Sequence, residues 1–154
     1  QSVHNLDMPM ISYPEGNLLW FRNICSLVKV NVTNTTNDPV NLAYIQVSNN
    51  TESQSGQGSV YLAGNTHVNV ATSEPIITLA DNQFRYVQLN LSGSNAILPA
   101  GGTRSYYLIV APFTNATSGV NIRVASTTHF NDLPLGNVTS LARNTIAVVN
   151  FDFQ

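Results

Sequence analysis

A single cysteine, Cys25, excludes any internal disulfide, so this 154-residue chain must close its core by packing alone. At that length a chain buries roughly two-thirds of its extended surface on folding, which is enough without a metal or a cross-link. Charge is scarce as well. Asp, Glu, Lys and Arg make up 9% of the residues, against about a quarter in an average soluble domain. The six basic residues, Arg22, Lys29, Arg85, Arg104, Arg123 and Arg143, are scattered and the formal net charge is −2. That leaves no basic track for a nucleic-acid backbone, and no nucleic-acid partner is expected. No apolar run approaches the ~20 residues of a membrane-crossing helix, so no transmembrane segment is expected. The sequence opens at Gln1 without a basic and apolar leader, and an export signal is expected to have been removed.

The motifs of catalysis are also missing. His4, His67 and His129 belong to no His-x-x-x-His or Cys-x-x-Cys pattern, and zinc needs three or four converging ligands. Cys25 lies in Asn23-Ile-Cys-Ser-Leu-Val, a strand-like run where a cysteine serves as a small apolar residue and not as an activated nucleophile. The acids Asp7, Glu15, Asp38, Glu52, Glu74, Asp81, Asp132 and Asp152 fall mostly in loops, and nothing selects a pair for glycoside hydrolysis. Asp152 alone sits in an apolar strand, and alternation turns it away from the side of Phe151 and Phe153. There is no nucleophile elbow, phosphate loop or dinucleotide fingerprint. The chain reads as a non-enzyme, with no catalytic residue, no cofactor-binding residue, no metal ligand and no cofactor.

What fills the composition is Asn, Ser and Thr on the surface and alternating apolar residues beneath. Val28, Val30 and Val32 alternate with polar neighbours, as do Ala43, Ile45 and Val47, then Val87, Leu89 and Leu91, then Val120, Ile122 and Val124. Period-2 patterns place one face of a strand on a core. The core is expected to come from Val28, Val30, Val32, Ala43, Ile45, Val47, Val87, Leu89, Ile122 and Val124. Ser105–Ala111 and Thr145–Phe153 are apolar on both faces in part and read as central or covered strands. Asn34-Thr-Thr-Asn-Asp-Pro39, the polar run 52–58, Pro99–Gly102 and Thr117-Ser-Gly119 supply turns. Residues 129–141 show no clear period and read as a loop or a short helical turn. About eight to ten strands without helices between them predict an all-β chain, an antiparallel two-sheet β-sandwich, as a single domain over 1–154.

Two further features carry alternative readings. Asn-x-Ser/Thr triplets at Asn31, Asn34, Asn49, Asn90, Asn115 and Asn137 are glycan acceptors in a eukaryotic secreted protein and chance matches in a bacterial one. Trp20, Tyr13, Tyr61, Tyr86, Tyr106 and Tyr107 could stack on sugars, but aromatics in strands more often pack in the core or across strands.

Five landmarks follow one another: Asp7-Met-Pro-Met-Ile-Ser-Tyr13, Leu19-Trp-Phe-Arg-Asn-Ile-Cys-Ser-Leu-Val-Lys-Val30, Ala43-Tyr-Ile-Gln-Val47, Ser105-Tyr-Tyr-Leu-Ile-Val-Ala-Pro112 and Leu141-Ala-Arg-Asn-Thr-Ile146. In order and spacing they resemble those of the Bacteroidetes fimbrillin-like proteins. Together they span nearly the whole chain, which resembles the N-terminal domain of that family's fimbrial subunits. The resemblance implies a transthyretin-like sandwich with an extended approach segment over 1–17. It implies an exported lipoprotein at the extracellular face of the outer membrane, in a fimbrium or pilus, serving cell adhesion. Partners would be other fimbrial subunits or surface proteins joined by β-strand addition, with a host or bacterial surface ligand beyond them. The alternative is a carbohydrate-binding β-sandwich module of a surface polysaccharide-processing system. If a partner strand is accepted, weak alternation before Leu18 places the receptive edge on the N-terminal side. Asn144–Phe153 is then expected to be a resident strand paired inside a sheet.

Overall fold

The computed structural model describes residues 8–15, 17–49, 60–69, 76–116 and 118–154. Twelve strands follow one another among them: β1 Met10–Glu15, β2 Leu18–Asn23, β3 Ser26–Asn34, β4 Val40–Asn49, β5 Thr66–Asn69, β6 Ile76–Leu79, β7 Tyr86–Asn90, β8 Ile97–Leu98, β9 Thr103–Val110, β10 Val120–Ser126, β11 Phe130–Leu135 and β12 Ile146–Phe153. One 3-10 turn, Gly93–Asn95, is the only helical element among the described residues. The protein is all-β. Its strands outnumber the sequence expectation because β5, β6 and β8, of four, four and two residues, are too short to show a period.

Two sheets share the core. The larger runs β11-β10-β4-β7, with β8 paired to the opposite end of β4, and the smaller runs β12-β3-β9. Val30 and Val32 from one sheet meet Ile45, Leu89 and Ile122 from the other, all fully buried in a single apolar cluster with Leu108 and Phe153. The arrangement is β-sandwich-like. Hairpins β1–β2 and β5–β6 each pair only with themselves among the described strands.

Nine of the ten expected core residues are buried, and the exception has a local cause. Ala125 pairs with Tyr44 and Ser126 with Leu42, so the register skips Ala43. This is a β-bulge, in which two residues oppose one and the strand's facing is reset. Leu42 therefore points inward and is buried, while Ala43 does not.

Four other expectations are corrected. The pairing is not antiparallel throughout, because β12 runs parallel to β3 from Ile146↔Leu27 to Phe153↔Asn34. Such a pair needs a crossover, supplied here by the chain that leaves β11 and returns through residues 136–145. The two doubly apolar segments are not central: β9 and β12 flank β3 as the outer strands of the smaller sheet. Residues 129–141 contain β11, whose alternation is disguised by Asn131 on the inner side and Asp132 and Pro134 on the outer. The approach segment is also more structured than expected. Met10–Glu15 pairs residue by residue with Leu18–Asn23, and only residues 1–7 and 16 of that segment lie outside the description.

The 34–39 turn forms as its composition predicts. The Asn34 side chain, fully buried, donates to the carbonyls of Asp38 (2.8 Å), Leu98 (3.1 Å) and Pro99 (3.1 Å). Its oxygen accepts from the backbone N–H of Thr36 (3.0 Å) and the Thr36 hydroxyl (2.7 Å). That network ties the end of β3 to the end of β8, and it removes Asn34 from the potential glycan acceptors.

Candidate functional site

The inner residues of β12 shrink along the strand, from Phe153 and Phe151 to Val149 and Ala147. Opposite them stand Leu133 and Leu135 of β11, the outer strand of the larger sheet. At the phenylalanine end the two strands are drawn together. Gln154 donates its backbone N–H to Asn131 Oδ1 (3.2 Å), His129 Nε2 lies 3.0 Å from the Gln154 carbonyl oxygen, and the His129 and Phe153 rings pack with centroids 4.9 Å apart. Toward Ala147 the side chains are too small to fill the space. A groove of about 430 Å³ opens there, floored by Val28, Val47, Val120 and Ile122. Phe113, Val138 and Leu141 close its far end.

Among the described residues, no strand pairs with the outer edge of the strand beside this groove. Leu27 N–H donates to the Thr145 carbonyl (2.9 Å) and Thr35 N–H to the Phe153 carbonyl (2.9 Å), bracketing the ladder with β3. In a strand successive residues turn their backbone groups to opposite sides. Odd-numbered residues of β12 therefore address β3, and Ile146, Val148, Asn150 and Asp152 present N–H and C=O groups outward. Ile146 and Val148 are 64% and 60% exposed, and Asp152 is the one charge along this edge. Natural sheets usually guard such an edge with several charges, a bulge or a proline. β12 carries few such guards.

Among the described residues, an apolar open edge lies on β12, and the N-terminal side carries a separate two-stranded hairpin. β1 and β2 do leave apolar surface in solvent: Leu19 and Phe21 are 63% and 66% exposed. This hairpin is anchored at its base, where Ile24 N–H donates to the Pro9 carbonyl (3.0 Å) and Asn23 Nδ2 to Asn144 Oδ1 (2.9 Å). Arg143 reaches the Asn23 carbonyl at the same place (2.8 Å).

The two outer faces differ in how their polar groups are used. On the smaller sheet Ser105 donates to Asn31 Oδ1 (2.7 Å), and Asn31 donates to Asn150 Oδ1 (2.9 Å), so the row is consumed internally. On the larger sheet Asp132, Arg123, Gln46 and Gln88 form one row across β11, β10, β4 and β7. Arg123 grips Asp132 through Nε (2.8 Å) and Nη2 (2.7 Å), and Asn121 adds a third bond to the carboxylate (3.1 Å). These bonds, led by Arg123, hold the Asp132 carboxyl below its usual range, and the Arg123 guanidinium is driven further above its own. The guanidinium also lies 4.0 Å from the centroid of the Phe130 ring.

Among the described residues, those weighed for catalysis do not come together. Cys25 is half-buried just after β2, and desolvation pushes its thiol up, away from the reactive thiolate. His67 lies on β5 and His129 beside β11. Asp152 faces solvent between buried Phe151 and Phe153, as alternation indicates. Among the described residues no three His, Cys, Asp or Glu side chains cluster. His4, Asp7, Glu52 and Glu74, and the side chains of Tyr13, Glu15 and Trp20, lie outside the description. Tyr106 is buried and donates to the Asn95 carbonyl (2.9 Å), while Tyr107 is half-buried under Lys29. No helix of the described residues is long and apolar enough to cross a membrane. The groove itself was missed in sequence. Its one visible signal was the descending size of Phe153, Phe151, Val149 and Ala147. A scan against protein-family models finds no match, and a search of curated proteins returns none of significant similarity.

Proposed function

We propose that this domain is a structural subunit of a surface appendage, a fimbrial or pilus subunit or a cell-adhesion domain that joins its partners by strand pairing. The supporting observation is the open edge of β12 beside an unfilled apolar groove. An incoming strand that paired with Ile146, Val148 and Asn150 would drop alternate side chains between Leu133, Leu135 and Val149. Main-chain bonds would then supply affinity and the groove would supply selectivity. The sequence landmarks point the same way: a fimbrillin-like domain of transthyretin-like type, exported and held at the outer surface. On this reading the domain is not an enzyme and binds no cofactor, and β12 is a resident strand and not a donor.

Cells that display the protein provide the test. Because the Val148 N–H faces the open edge, Val148→Pro removes an outward donor and leaves the β3 ladder in place. Val148→Cys treated with a thiol-directed bifunctional cross-linker should yield covalent adducts with a neighbouring surface subunit, and Val148→Pro should abolish higher assemblies while the domain stays folded. Undiminished assembly by Val148→Pro would remove the support for strand addition at this edge.

A further inference from the structure

We infer that the outer face of the larger sheet binds a neutral saccharide in the concavity between β4, β10 and β11, a site separate from the β12 groove. The concavity measures about 290 Å³ and is walled by side chains of three strands, with Asn49 at one end. Its chemistry selects the ligand class. Arg123 and Asp132 neutralise each other through two short bonds, so the site offers no uncompensated charge to an anion or a cation. The remaining groups are neutral and able both to donate and to accept. Among the described residues, the Gln46 amide and the Ser48 hydroxyl have no hydrogen-bond partner, in contrast with the self-satisfied Ser105–Asn31–Asn150 row on the opposite face.

The outer-face groups themselves choose between ligands. An acceptor-only anion can use the Gln46 N–H donors but has nothing to give the Gln46 carbonyl or the Ser48 oxygen, whereas a sugar hydroxyl can accept from Gln46 and donate to Ser48 at once.

The flanking rows provide apolar contact. Tyr86 pairs with Ser48 on the neighbouring strand and is about half exposed, with its ring braced edge-on by Phe84 at 6.4 Å. Phe130 lies on the other side, pinned beneath the Arg123 guanidinium. A pyranose ring has an apolar C–H face and a rim of hydroxyls, which matches a polar concavity bordered by exposed rings.

The test is a printed glycan array carrying neutral and acidic oligosaccharides, followed by titration of the best neutral oligosaccharide into isotope-labelled protein. Neutral glycans should bind, and the side-chain amide signals of Gln46 and Asn121 should shift. Loss of a single hydrogen bond corresponds to about ten-fold in affinity, so Gln46→Ala and Ser48→Ala should each weaken binding by about that factor. Both are substitutions on an outer face, and two variants guard against misfolding of either one. Val148→Pro should leave saccharide binding unchanged, which separates this site from the strand-pairing reading. Absence of binding, binding of acidic glycans alone, or unaltered affinity in both variants would overturn the inference.

Discussion

The sandwich has two lateral seams, and they are finished differently. Along the β7–β9 seam a length of chain bridges the sheets. Leu62 donates to the Phe84 carbonyl just before β7 and accepts from the Ala111 N–H just after β9, both at 2.8 Å, with its side chain fully buried. Arg104 and Tyr106 of β9 fasten the 3-10 turn through the carbonyls of Ser94 (2.6 Å) and Asn95 (2.9 Å). The β11–β12 seam has comparable bonds only at its Phe153 end and gapes at Ala147. Among the described residues one seam is sealed and the other is open. On the reading proposed above, the open seam is where a partner strand pairs.

Truncation should expose this difference most strongly. Leu62→Ala removes a fully buried side chain from the sealed seam and should cost about 2–5 kcal/mol in chemical denaturation. Val149→Ala, in the half-buried lining of the open seam, should cost only about 1 kcal/mol. Equal losses would mean that the two seams are packed alike. A smaller effect is expected from Tyr106→Phe, which deletes the hydroxyl bond to Asn95 and should cost about 0.5–1.5 kcal/mol.

How much of this was legible beforehand divides along physical lines. Strict alternation located β3, β4, β7 and β10 because each turns one face to a core and the other to water. It failed at Ala43, where a bulge resets the facing, and at β11, where a proline and an acid occupy the outer positions of an edge strand. It also misplaced β9 and β12. Two apolar faces suggested central or covered strands, yet both are outer strands of the smaller sheet, and one face of β12 covers the core while the other is simply exposed. The groove depends on which strands end up facing each other across a seam, and that is a property of topology that no local pattern encodes.

The smallest predicted effect is electrostatic. Asp132 has a folded pKa below its unfolded value, so its contribution is complete above the usual carboxylate range and is lost as pH falls through the depressed folded value. Denaturation midpoints should therefore decline in acid, and Asp132→Asn should flatten part of that decline. With both side chains about one-third exposed, a pair of this kind contributes only about 0.2–1 kcal/mol. An unchanged acid limb in Asp132→Asn would show that the Arg123 pair adds nothing to stability.

Residue-resolved amide hydrogen exchange along β12 tests the central claim most directly. In the isolated domain Ala147, Val149, Phe151 and Phe153 should be protected by the ladder to β3, while Ile146, Val148 and Asn150 exchange quickly from an open edge. Adding a synthetic ten-residue peptide of alternating valine and threonine, flanked by lysines for solubility, should slow the second set and leave the first unchanged. Uniform protection of all seven amides before any peptide is added, or continued fast exchange at Ile146, Val148 and Asn150 with the peptide in excess, would contradict a strand-accepting edge.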